Sequence, residues 1–235
     1  MTAADLVKQL KSLGADSYRK ILLKHGAAEP LLGVKISEMQ KIRKRVGKDY
    51  PLAMELYETG IYDAQYLAGM IADETKMTPK DLKRWLRTRN SGLICGTVVA
   101  WVAAESAHGM DLALEWIESK NADDAQTGWQ TLAMRVSIKD DAELDLGELK
   151  GLLDRVAKSI HRQPDAVRYA MNTFVIALGS YVRDLAGAAL ETGKRMGKVS
   201  VDMGETACKV PYAPDYIKKA QGRGSLKKKR ATARC

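Results

Sequence analysis

The chain has little that would fix a covalent, metal-bound or membrane-spanning architecture. Its 235 residues include three cysteines, Cys95, Cys208 and Cys235. They are odd in number, far apart and form no CxxC pair, which argues against a disulfide framework or a zinc cluster. The three histidines, His25, His108 and His161, are equally scattered. Each lies near a predicted helix end, where a capping role fits better than catalysis. No metal and no cofactor are expected. Aromatic residues make up 6%, with a single Phe. No sustained apolar–polar alternation occurs before residue 198, so no sheet is predicted. The longest apolar run, residues 93–104, falls short of the roughly 20 residues needed to span a bilayer. No basic segment precedes an apolar one at the start, so no signal peptide is read. The expected setting is a reducing cytoplasm with no membrane partner.

What is present favours helix. Hydrophobic residues reach 46%, and Ala, Leu, Lys and Met, which lose little rotamer freedom in a helix, are plentiful. Leu6, Leu10 and Leu13 share one helical face, closed by Gly14. Asp16 or Ser17 can cap the next helix, through Tyr18, Ile21 and Leu22 to near Gly26. Ser37 opens a third, with Met39, Ile42 and Val46, ended by Gly47. Asp49 followed by Pro51 reads as an N-cap with proline in the first turn. Tyr62, Tyr66, Leu67, Met70 and Ile71 form another stripe. Thr78-Pro79 starts a helix carrying Leu82, Trp85 and Leu86. Residues 90–106 are the most apolar stretch and predict a buried helix. Further helices are predicted over 108–119, 121–138, 145–161, 164–182 and on to about Lys198.

A helix pair every 35–45 residues or so is the HEAT-type period. A pair cannot bury its apolar face alone, so neighbours stack and the stack curves. The expected fold is an all-α, α–α superhelix, a C-shaped HEAT-like solenoid; a compact helical bundle is the alternative. Two domains are expected: a helical body over 1–197 and a basic C-terminal tail over 198–235 with a short helix, capped by Asp215, through Ile217 and Lys219.

The net charge of +9 is unevenly spread. Residues 198–235 hold ten Lys or Arg against three Asp or Glu, a net +7, leaving +2 for the rest. Lys227, Lys228, Lys229, Arg230 and Arg234 could neutralise phosphates, contacts that bind without reading sequence and weaken with salt. A helix with Lys35, Lys41, Arg43, Lys44, Arg45 and Lys48 is a second basic face, from which Arg43 and Arg45 are taken as nucleic-acid-binding candidates. Cys208, in Cys-Lys-Val-Pro, is expected to pack the tail onto the body, with Asp202 and Glu205 as loop caps. Trp85, Trp101, Trp116 and Trp129 sit among apolar residues at helical spacing and read as core. Trp129, preceded by Gly128, is nonetheless the candidate cleft aromatic.

Several stretches resemble the bacterial HEAT-like alkylpurine DNA glycosylases of the AlkD type. They are Gly33-Val34 before a helix with Met39, Ile42 and Arg43; residues 56–68, Leu-Tyr-Glu-Thr-Gly-Ile-Tyr-Asp-Ala-Gln-Tyr-Leu-Ala; Trp116-Ile-Glu-Ser; Trp129; and Ala177-Leu-Gly followed by Arg183. In the second stretch Tyr57, Tyr62 and Asp63 are variants of the family's Leu-Trp, short gap, His-Glu pattern. The resemblance spans residues 5–190 or so, and the basic ending resembles one branch of the family. It implies a basic concave face holding duplex DNA. It also implies excision of cationic alkylpurines by an Asp beside the glycosidic bond within a Trp and Arg cleft.

This chain departs from that pattern where the chemistry sits. The family's Trp-x-x-x-Asp aligns with Gly92 and Gly96, its Arg with Leu132, and its final Trp with Ser180. No catalytic residue is therefore carried over. Gly92, Gly96, Trp129, Leu132, Ser180 and Tyr181 mark the cleft positions, and Trp101 and Glu105 lie close enough in sequence to belong to a rearranged cleft. Gly92 and Gly96 also suit close helix approach. The leading expectation is a monomeric, nucleoid-associated DNA-binding protein of the DNA alkylation repair type, without standard base-excision chemistry. The others are an active alkylpurine glycosylase with a rearranged site and a protein-binding HEAT scaffold.

Overall fold

The computed structural model describes residues 1–204 and 206–234, with only the backbone of Lys227. Among them all regular structure is helical: α1 Ala3–Leu13, α2 Asp16–Lys24, α3 Ile36–Val46, α4 Tyr50–Glu58, α5 Tyr62–Ile71, α6 Pro79–Arg87, the single turn α7 Gly92–Ile94, a π-helical segment Cys95–Val99, α8 Ala100–Glu105, α9 Gly109–Trp116, α10 Ala122–Ile138, α11 Leu146–Ser159, α12 Asp165–Tyr181, α13 Ala186–Met196 and α14 Ala213–Gly222. No single described helix is long and apolar enough to cross a membrane.

The caps explain many boundaries. The Asp49 side chain accepts from the Leu52 N–H, with Pro51 in the first turn of α4. Thr78 and Asp81 form a reciprocal capping box with Pro79 opening α6. Asn121 caps α10 and Asp145 caps α11. Each side-chain oxygen satisfies an N–H that the first helical turn leaves unpaired. Three expected caps differ. Asp16 is already helical, and α3 starts one residue before Ser37, neither helix having a side-chain cap. Asp215 likewise lies inside α14. The predicted helix over residues 90–106 is interrupted by the π segment, within which Gly96 lies.

The chain forms two compact units, one of residues 1–108, 203–207 and 234–235, the other of 109–202 and 208–233. α13 ends at Met196 within the second unit, and the residues after it contribute to both units. In the first unit α5 is central: all ten of its residues are buried. It packs on α1, α3, α4 and the π segment. At Gly69 a Cβ would meet Val98 Cγ1 at 2.4 Å, so close approach there requires glycine. Tyr57 stacks on Trp85 with centroids 4.1 Å apart and donates to the Trp85 carbonyl.

Polar side chains pin the loops of this unit. Asp63, fully buried, accepts the N–H groups of Leu32 at 2.6 Å and Val34 at 2.7 Å. It therefore holds the loop entering α3, where Gly33 adopts φ +77°. Gln65 donates to the Tyr57 and Thr88 carbonyls and accepts from the Asn90 N–H. Asn90 in turn donates to the Gly60 carbonyl and accepts from the Ala28 N–H. Buried polar groups persist only when paired in this way.

The second unit is built on α10 against α12. Its centre is Trp129 against Phe174, centroids 5.3 Å apart, surrounded by Leu132, Val136, Leu153, Val175 and Leu178. His161, just past α11, hydrogen-bonds the carbonyl of Met196, the last residue of α13. Cys208 is exposed. Attachment beside it comes instead from Asn172 Nδ2, which donates to the Pro211 carbonyl at 2.9 Å. The Asp202 N–H donates to the Asp165 carboxylate. Glu205 and Cys235 lie outside the described residues.

Candidate nucleic-acid interface

The cationic run near the C-terminus is an ordered strap. After a left-handed Gly224 and a short turn, Lys228 is extended, at φ −149° and ψ 116°. Extended backbone sends successive side chains to opposite sides. Lys229 turns inward, 16% exposed, and its Nζ pairs with Asp141 at 2.7 Å and donates to the Val136 carbonyl at 2.9 Å. The Arg230 N–H donates to the Ser137 carbonyl at 2.8 Å. Val136 and Ser137 belong to the last turn of α10, whose carbonyls lack intrahelical partners and form the negative end of the helix dipole. Lys228 and Arg230 are exposed. The side chain of Lys227 lies outside the described residues.

Arg234 corrects the expectation of a free basic end. Its side chain is 3% exposed; it pairs with Glu74 at 2.7 Å and Glu105 at 2.8 Å and donates to the Ala72 carbonyl at 2.6 Å. A guanidinium held by two carboxylates inside the first unit is an anchor of the chain end. Burial pushes the Glu74 carboxyl up. The hydrogen bond from Lys48 and the charges of Arg234 and Lys48 outweigh that and hold it below the usual carboxylate range.

The basic face of α3 is exposed, with its charges partly engaged. Lys41 pairs with Glu38, Arg45 donates to Gln9, and Lys48 pairs with Glu74. Arg43 is half-buried and Lys44 exposed. Arg43, Lys44 and Arg45 stand in the last turn, where cations offset the dipole.

The expected cleft positions are divided between the two units. Gly92 and Gly96 belong to the first unit, and Trp129, Leu132, Ser180 and Tyr181 to the second. Trp129, the expected cleft aromatic, is instead core, at 1% exposure. The Arg155 guanidinium lies 5.8 Å from its ring centroid while pairing with Glu118. Leu132 and Ser180 are buried; Tyr181, the last residue of α12, is half-buried. Trp101 is edge-on to Tyr66, centroids 5.2 Å apart, and Glu105 is paired with Arg234. Trp101 and Glu105 are thus both engaged with neighbours in the first unit. Sequence spacing gave no sign of the Asp63, Gln65 and Asn90 network, since every partner but Tyr57 lies more than twenty residues away. Among the described residues, no three His, Cys, Asp or Glu side chains are grouped to hold a metal.

Residues 6–217 match the family described as DNA alkylation repair enzyme. The chain belongs to that family. Two relatives of this chain are uncharacterized proteins of Listeria innocua and Listeria monocytogenes. Each is 32% identical over 230 residues, covering 95% of this chain and 99% of its own. A solved structure is described as "a new family of proteins related to the HEAT-like repeat DNA glycosylases with affinity for branched DNA structures". It matches with a TM-score of 0.91 and 31% identity over 100% of both chains. The expected helix stacking is accordingly the HEAT-like repeat fold.

Proposed function

We propose that this DNA alkylation repair family member binds DNA through backbone phosphates and does not excise bases by the family's carboxylate chemistry. The observation that carries the binding is the match along the whole chain to a structure described as having affinity for branched DNA. The exposed Lys228 and Arg230, held on a strap by the inward Lys229, support it physically. Cations that are already ordered lose less side-chain freedom when a phosphate arrives. Contacts of this kind recognise backbone geometry, so selectivity would follow DNA shape, including the splayed arms of a branch, in place of base edges.

The loss of excision rests on composition at the aligned positions. Gly92, Gly96, Leu132 and Ser180 offer no carboxylate to stabilise an oxocarbenium ion and no aromatic face for a cationic lesion. The test is an anisotropy titration of the full chain with a labelled four-way junction and a linear duplex of equal charge. It is paired with a single-turnover assay on methylated DNA. Tighter junction binding without release of alkylpurine above the uncatalysed control is expected. Absence of binding at low salt removes the first half of the proposal, and enzymatic release removes the second.

A further inference from the structure

We infer that a concavity at the C-terminal end of α3 is a phosphate seat, and that its occupant is a phosphodiester of the bound DNA. The identity of the occupant rests on the DNA-binding reading above; the anionic character of the ligand rests on the geometry alone. The concavity measures about 360 Å³ and is lined by Arg43, Lys44, Gly47, Lys48, Met70 and Arg234.

Three features distinguish it from an ordinary charged helix end. First, the cations converge on a hollow from two distant parts of the chain, α3 with its following turn, and the penultimate residue. Second, its deepest cation is fixed. Arg234 is 3% exposed and locked by Glu74, Glu105 and the Ala72 carbonyl, and Glu74 also tethers Lys48. Four cations against these two carboxylates leave a net of +2. Third, the wall at Gly47 has no side chain. That residue sits at φ +75°, its N–H donates to the Arg43 carbonyl at 2.8 Å, and a Cβ there would meet open space, so the wall leaves room for a compact ligand. Met70 supplies the one apolar wall. A compact anion satisfies such a cradle, whereas a cation or an extended apolar ligand does not.

Glu74 gives the seat a graded response. It already neutralises part of Lys48, so a phosphate competes with it for that ammonium while Lys44, at the rim, meets the phosphate first. Lys44 and Lys48 therefore supply contacts additional to those of Lys228 and Arg230. Each phosphate contact contributes about 0.9 to the slope of log K against log salt.

The test compares the full-length chain with its Lys44→Ala/Lys48→Ala variant, and with Lys120→Ala as a surface control, on the labelled four-way junction between 50 and 200 mM salt. Thermal unfolding checks that each variant is folded. Loss of two contacts lowers the slope magnitude by about 1.8, so the drop in affinity across that fourfold salt range shrinks about 12-fold. Lys120→Ala leaves it unchanged. In a second arm, the Gly47 and Lys48 amide resonances are followed while inorganic phosphate, then duplex DNA, is added; both are expected to shift them. If the wild type binds the junction and the variant has the same slope, the seat is overturned while the DNA-binding reading stands. If free phosphate shifts the amides and DNA does not, the phosphodiester assignment is overturned. If the wild type binds no DNA, both fall.

Discussion

At the scale of single residues, side chains with the look of a reactive site turn out to be scaffolding. Asp63 matches a family motif position and is an acid beside two tyrosines, yet both carboxylate oxygens are spent on backbone N–H groups of the loop before α3. Burial, and then the neighbouring Asp63 charge, push the Tyr62 hydroxyl up, keeping it neutral. Asp63→Asn would face an amide donor toward one of those N–H groups, and should cost about 2–4 kcal/mol in urea unfolding. An unchanged midpoint would show that the loop is held otherwise. Glu74 gives a pH signature. Its folded carboxyl lies below its unfolded value, so the stability it adds is complete above the ordinary carboxylate range and disappears as pH falls through the folded value. The wild type should lose more stability on acidification toward pH 3 than Glu74→Gln, as read from urea midpoints; parallel losses would contradict this.

At the scale of elements, helices whose signals are local were legible in the sequence. Asp49 with Pro51, Thr78 with Pro79, Asn121 and Asp145 each announce a first turn within four residues. The π segment left no such local mark; its Val98 packs against Gly69 of α5, far away in the chain. Trp129 was ambiguous for a related reason. Helical spacing shows that it lies on an apolar face, but only the partner helix decides whether that face is core or cleft. The glycine before it has a firm role, since a Cβ at Gly128 would lie 2.7 Å from both the Ala113 carbonyl and the Ile117 nitrogen. Gly128→Ala should therefore cost about 1–3 kcal/mol through separation of α9 from α10, measured by thermal unfolding; a neutral result would contradict that contact. The strap was the least legible element, because a cationic tail reads as solvated until its acceptors are known. Lys229 and Arg234 find theirs in α10, at Asp141 and in residues flanking α5, which no local pattern connects to them. The Arg230 amide should show slowed hydrogen exchange, where a free tail would exchange as fast as an unfolded peptide.

At the scale of the whole molecule, the HEAT-like fold, the family and the concentration of charge after residue 198 followed from periodicity, motif order and composition. The distribution of that charge into anchors and exposed contacts did not. Lys229 and Arg234 are fixed to the body, while Lys228 and Arg230 stay exposed. The account's central claim is that exposed cations on an ordered helical frame hold DNA by its phosphates. It is tested most directly by measuring the affinity of the wild-type chain for a four-way junction as a function of salt. A linear fall of log K with log salt, with a slope magnitude of about 3.6 from Lys228, Arg230, Lys44 and Lys48, is the predicted result. A salt-independent affinity, or no binding at the lowest salt, would contradict it.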